Sequence, residues 1–283
     1  MTIETPAPAN RLANVQSLRG VAALLVVVSH LLIIETKYSP DAVFGDWATF
    51  GMVGVDLFFV ISGFIMVHVV QNMRRGTSSM WEFLFARITR IYPLYWLVSA
   101  ALLCVWLVRP DMVFSSFKSD PNIIKSFLLF PDIRDPLLAV GWTLIHEVGF
   151  YLVFALSLLL KPRMLLPFLA IWAGVLMLAY GFGLNDGGPL HTLLLSPLGL
   201  EFLAGALAAW LFHKTGAKLA GLSLLLGLIL WAVTLFVLIS NDHTMLAGHM
   251  GRAVHFAFPG ALVVYGLAGL KTTLPKWSQT LGD

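Results

Sequence analysis

Long apolar runs, each close to the length that crosses a bilayer, alternate along the chain with short polar connections. Eight such runs lie near 17–35, 50–71, 90–108, 140–160, 164–183, 192–212, 219–240 and 251–270. About 20 apolar residues in a helix cover roughly 30 Å of hydrocarbon, so each run is long enough to cross. The pattern predicts an all-α, polytopic transmembrane bundle. Pro93, Pro197 and Pro259 fall inside runs, which membrane helices tolerate when neighbours satisfy the freed backbone groups. Residues 1–16 read as a cytoplasmic N-terminal tail, 17–270 as the bundle and 271–283 as a cytoplasmic C-terminal end.

Composition agrees with the pattern. Only 12% of the 283 residues are charged, against about 25% in a soluble domain. No basic, aromatic-interleaved patch points to nucleic acid. The single cysteine, Cys104, excludes an intrachain disulfide and a cysteine-rich metal site. No metal site is expected. The N-terminus lacks a basic-plus-apolar leader, so the first helix is expected to be retained.

Charge sets the orientation. With the N-terminus inside, the inner segments hold Arg11, then Arg74, Arg75, Arg87 and Arg90, then Lys161 and Arg163, Lys214 and Lys218, and Lys271 and Lys276. The outer connections 36–49, 184–191 and 241–250 hold only Lys37, with Asp41, Asp46, Asp186 and Asp242. The positive-inside rule therefore places both chain ends in the cytoplasm. The long outer segment 109–139 departs from the rule: its four basic residues accompany Asp111, Asp120, Asp132 and Asp135. Its apolar stretch Ile123–Phe130 is expected to form a short interfacial helix.

Ionisable groups inside a membrane are costly and mark functional sites by default. Eleven positions separate Arg19 from His30, so the two share one helix face, about 16 Å apart along the axis. His30, Asp56 and Glu147 each sit five or six residues from the outer end of their runs, about 8 to 10 Å deep. Groups at one depth are expected to pair with one another or to line a polar cavity. Glu201 lies slightly deeper. His68 and His146 read as structural. Arg87 and Arg90, three apart at the cytoplasmic mouth of the third run, form a pair suited either to phosphate or to membrane anchoring. Tyr92, Tyr95 and Trp96 read as interface aromatics. On these residues alone, an acyl-group enzyme and a proton-coupled transporter or flippase stay open. A transporter would be expected to show internal repeats, and none is visible.

Four motifs in order carry a resemblance: Arg19-x10-His30; Gly54-Val55-Asp56-x2-Phe59-x2-Ser62-Gly63-Phe64; Arg87-x2-Arg90 followed by IYPLYW; and GWTL-x2-Glu147-x2-FY. With EFLAG around Glu201 they resemble acyltransferase family 3, the integral-membrane O-acyltransferases of exopolysaccharides, O-antigens and related glycans. The resemblance implies acetyl-CoA as co-substrate, with no permanently bound cofactor, a sugar hydroxyl as acceptor, lipid as surroundings and a bacterial inner membrane as location. It makes His30 the catalytic histidine and Arg19 its motif partner, and it makes Arg87 and Arg90 coenzyme A contacts. Asp56 and Glu147 join His30 as catalytic candidates. Ser62, Tyr92, Trp142 and Glu201 are substrate-binding candidates from the same motifs. The resemblance also implies ten crossings, so the segment resembling WSQTLGD, at which the sequence ends, falls two helices short of the family pattern.

Overall fold

The computed structural model describes residues 9–39, 43, 50–114, 120–240, 248–270 and 274–282. Glu4, Asp41, Asp46, Lys118, Asp242 and Lys271 lie outside the described residues. Among the described residues twelve α-helices follow one another: α1 (Ala9–Tyr38), α2 (Val53–Val70), α3 (Thr77–Val108), α4 (Pro110–Phe114), α5 (Ile123–Phe127), α6 (Gly141–Ala155), α7 (Leu165–Gly181), α8 (Pro189–Leu194), α9 (Gly199–Thr215), α10 (Ala220–Ser240), α11 (His249–Gly269) and α12 (Lys276–Thr280). No strand occurs among the described residues. Large apolar side chains such as Phe85 and Leu97 of α3 and Ile229 and Phe236 of α10 point outward, as lipid-facing helices require.

Seven described helical stretches are long and apolar enough to cross a membrane, where the sequence predicts eight. The eighth prediction falls on α11, a helix of 21 residues. Its first two turns carry His249, Arg252 and His255, and these dilute its apolar character. A second difference is α3, expected near 90–108. It begins at Thr77 and runs for 32 residues, about 48 Å. Arg87 and Arg90 therefore sit well inside a helix, not at its mouth, because the aromatic and aliphatic residues around them pack as helix on both sides.

The fold has two compact units, one formed by 1–69 with 197–283 and the other by 70–196. In the first, α2 and α9 cross at two glycines. A Cβ on Gly63 would overlap the carbonyl of Phe202, and one on Gly205 that of Val60. Small residues allow such backbone approach, which drives helix association in lipid. Around the crossing, Phe59 packs on Phe202 at 5.4 Å and Phe64 on Phe212 at 5.9 Å. The N-terminal part of α1 is held by the C-terminal segment. Asn14 donates to Leu267 O at 3.1 Å and accepts from Leu274 N at 2.8 Å, and Ser278 donates to Ser17 at 2.8 Å.

In the second unit α3 and α6 run antiparallel. Phe83 meets Phe154 at 5.7 Å and Tyr151 at 6.1 Å, and Gly76 N donates to Leu158 O at 2.9 Å. The IYPLYW stretch has a defined task here. Tyr95, Trp96 and Tyr92 donate to the carbonyls of Ser126, Phe127 and Leu128 at 2.6, 2.8 and 2.8 Å. These are carbonyls at the C-terminal end of α5, where a helix runs out of internal partners; the Ser126 carbonyl also accepts from Leu129 N at 3.1 Å. The expected short helix in the 109–139 segment thus exists, clamped against the middle of α3.

Candidate functional site

Two constellations of polar side chains are assembled, one within each unit. In the first unit, Asp56 of α2 is buried and bound by a two-pronged guanidinium. Arg252 Nε donates to Oδ1 at 2.9 Å and Nη2 to Oδ2 at 3.0 Å. Such planar pairing is among the strongest of charge-assisted contacts. Glu201 of α9, with 0% exposure, lies within electrostatic reach of both Asp56 and Arg252, and its carboxyl oxygens have no hydrogen-bond partner among the described residues. His249, three residues before Arg252 on α11, lies within electrostatic reach of the pair. The expected pairing of Asp56 with His30 is replaced by this one, since Arg252 engages both Asp56 oxygens. Ser62 is half-buried on α2, beside the Gly63 crossing.

His30 itself is exposed on α1. Its Nδ1 lies 2.7 Å from Val26 O, one turn back. A carbonyl can only accept, so Nδ1 carries the hydrogen. In the neutral ring, Nε2 then holds the lone pair and faces outward as a proton acceptor. Arg19, half-buried, donates from Nη1 to Gln16 Oε1 at 3.1 Å, and Gln16 in turn donates to Gly282 O. α1 is one continuous helix from Ala9 to Tyr38, so the shared face of Arg19 and His30 is real. Between them that face shows only Ala23, Val26 and Val27.

In the second unit, Arg87 is buried and sits over two aromatic rings, Phe83 at 5.4 Å and Tyr151 at 5.8 Å. Tyr151 OH donates to Glu147 Oε1, four residues back on the same face of α6. Arg87 Nε is buried without a hydrogen-bond partner. Arg90 is exposed one turn later. Tyr92 is engaged in the α5 clamp described above. Trp142 lines an open cleft with His146, whose Nδ1 donates to Trp142 O at 2.9 Å. His68, in the first unit, stacks on Phe64 at 6.3 Å and tilts against His213 at 5.1 Å.

The first unit thus holds an imidazole and an arginine on one helix face, and the second, taken by itself, a buried guanidinium resting on aromatic rings. The acyltransferase family 3 model, described as an acyltransferase domain, matches residues 12–283. The chain belongs to acyltransferase family 3. Among curated relatives, the exopolysaccharide production protein ExoZ of Rhizobium meliloti (strain 1021) is 34% identical over 169 residues, covering 57% of this chain and 51% of the relative. Protein 2 in the picA locus of Rhizobium radiobacter is 33% identical over 102 residues, 36% of this chain and 48% of the relative. Acyltransferase MdmB of Streptomyces mycarofaciens is 27% identical over 154 residues, 52% of this chain and 39% of the relative. The matches thus span about half the length of these relatives or less. No solved structure matches the chain.

Arg252, its neighbour His249 and the bond between Tyr151 and Glu147 escape the sequence reading. Arg252 lies at the edge of the expected run 251–270, where it resembles a boundary residue. An arginine inside an apolar helix needs a counter-ion, and that rule points to the buried carboxylates. Tyr151 is visible four residues after Glu147, the spacing at which helix side chains meet.

Proposed function

We propose that the chain is a multi-pass O-acyltransferase of the bacterial inner membrane, with its N-terminus in the cytoplasm. It transfers an acyl group, acetyl by family default, from coenzyme A to a sugar hydroxyl of a cell-surface glycan. The α1 face carries this reading: an exposed imidazole with Nε2 free to take a proton, an apolar strip, and Arg19 about 16 Å away. That spacing suits an anion at one end and a thioester at the other, joined by an extended arm. In the transfer step, His30 Nε2 takes the proton of the acceptor hydroxyl while its oxygen attacks the thioester carbonyl. The C–S bond breaks, and the leaving thiolate takes the proton back from His30. The products are a sugar ester and coenzyme A, and no other reactant is needed.

Arg87 and Arg90 are assigned to the coenzyme A phosphates. Arg87 supports this because its charge rests on aromatic faces and its buried Nε has no hydrogen-bond partner among the described residues. Relatives named for exopolysaccharide production and for acyl transfer support the acceptor and reaction class. A transporter relaying protons through His30, Asp56 and Glu147 would need Asp56 free to exchange its proton, and Arg252 occupies both its oxygens.

The test is His30→Gln. Glutamine keeps a donor and an acceptor but is no base. His30 is exposed and, among the described residues, bonded only to its own helix, so the variant is expected to keep its thermal transition. Transfer of labelled acetyl from acetyl-CoA in membranes is expected to fall by about 10²–10⁴-fold. Near-normal transfer, or loss of folding in step with activity, would sink the assignment.

A further inference from the structure

The second unit carries an open cleft of about 420 Å³ that the transfer step above does not use. Its walls are the 131–136 turn, the first turns of α6 and the start of α8. The volume falls among small-ligand sites, about 300–1,000 Å³. What lines it narrows the ligand. Asp132 is already committed: Lys125 pairs with it at 3.2 Å and Arg134 at 3.7 Å, and Ile133 N donates to it at 2.7 Å. It braces the turn. Asp135 and Asp186 also line the cleft, are exposed, and have no hydrogen-bond or ion-pair partner among the described residues. The half-buried indole of Trp142 lines the same cleft, edge-on to His146 at 5.6 Å.

Two open carboxylates accept hydrogen bonds from hydroxyl groups, and an indole offers a flat apolar surface with a polar tip. A pyranose has the matching chemistry, with hydroxyls around its rim and C–H groups on its face. An anion does not match. The only cationic side chain in the lining, Arg134, is shared with Asp132, which leaves two acidic groups uncompensated. Coenzyme A phosphates are therefore disfavoured in this cleft. We propose that it is a docking site for a neutral sugar unit of the glycan acceptor, whose hydroxyls donate to Asp135 and Asp186 while its apolar face lies on Trp142. The inference rests on the transferase reading for why a glycan is bound, and on the cleft itself for how.

The test uses the full chain in lipid nanodiscs and, as probe, the extracellular polysaccharide of the cells that make the protein, immobilised on a sensor surface. Wild type is expected to be retained. Asp135→Asn combined with Asp186→Asn, and separately Trp142→Ala, are each expected to weaken retention about tenfold or more. Acetyl-CoA affinity on the same discs is expected to stay unchanged. The carboxylate variant alters exposed positions, so an unshifted thermal transition keeps it informative even if Trp142→Ala unfolds. Three results overturn the proposal: no retention of wild type, undiminished retention of the folded variants, or parallel loss of acetyl-CoA binding. The transferase reading fails by a different result, absent acyl transfer with polysaccharide retention intact.

Discussion

Two buried arginines, one in each unit, receive opposite treatment. Arg252 meets a carboxylate fork with both prongs and has a second acid beside it. Arg87 is placed between aromatic rings, with its Nε lacking any acceptor. The first arrangement pairs the charge and ties α2 to α11, with Glu201 of α9 near the pair. The second supports the cation while leaving hydrogen-bonding capacity unspent. Arg252 spends two prongs on a carboxylate, whereas the charge of Arg87 rests on ring faces.

The sharpest way to break this contrast is at Arg252. Arg252→Ala leaves Asp56 buried without its counter-charge, and removing one partner of a buried pair costs about 3–5 kcal/mol. The expected outcome is a large fall in the thermal transition of the purified protein, with loss of activity only as a consequence. A well-folded Arg252→Ala enzyme with impaired acetyl-CoA binding would reverse the two roles. Arg87→Ala comes next. Losing a charge-assisted phosphate contact is expected to weaken acetyl-CoA binding by about 1.5–3 kcal/mol. The stability loss should be smaller, about 0.5–2 kcal/mol for the ring contacts. Titration of acetyl-CoA into the variant, beside its melting curve, separates the two.

The smallest effect concerns Asp132, in the turn that walls the cleft. Partial desolvation raises its pKa, but Lys125 and the amides of Ile133 and Arg134 outweigh this and hold it below the usual carboxylate range. Its share of stability is therefore complete above the unfolded value of about 3.9 and is lost as pH falls through the lower, folded value. Amide exchange in the turn is expected to speed up in that acidic window for wild type. In Asp132→Asn it should be faster at neutral pH and flat across the window.

What could be read from the chain follows the range of the physics involved. Helices are legible because crossing lipid demands about 20 apolar residues at a stretch. The face shared by Arg19 and His30 is legible because it is set within one helix. The start of α3 is not: the apolar run begins near Arg90, yet the helix already begins at Thr77, with Arg87 lying over Phe83 and Tyr151. Nor is the partner of Asp56. Depth along an axis can be counted, but whether His30 or Arg252 stands beside it depends on which helices are neighbours, and that is a tertiary fact. The glycine crossing lies between these cases. Ser62-Gly63 announces a close approach, while Gly205 as its counterpart emerges only when α2 meets α9.

The clamp that Tyr92, Tyr95 and Trp96 place on α5 grips peptide carbonyls and no side chain. Every residue type supplies a carbonyl, so the grip is indifferent to what is written at 126–128. The α3 aromatics act as a socket, and the segment plugged into it is free to drift in sequence while its attachment persists. A surface that must follow a changing polymer could be rewritten residue by residue on such a mount. Exchanging this segment between relatives should then transplant its recognition properties without redesign of the helices beneath.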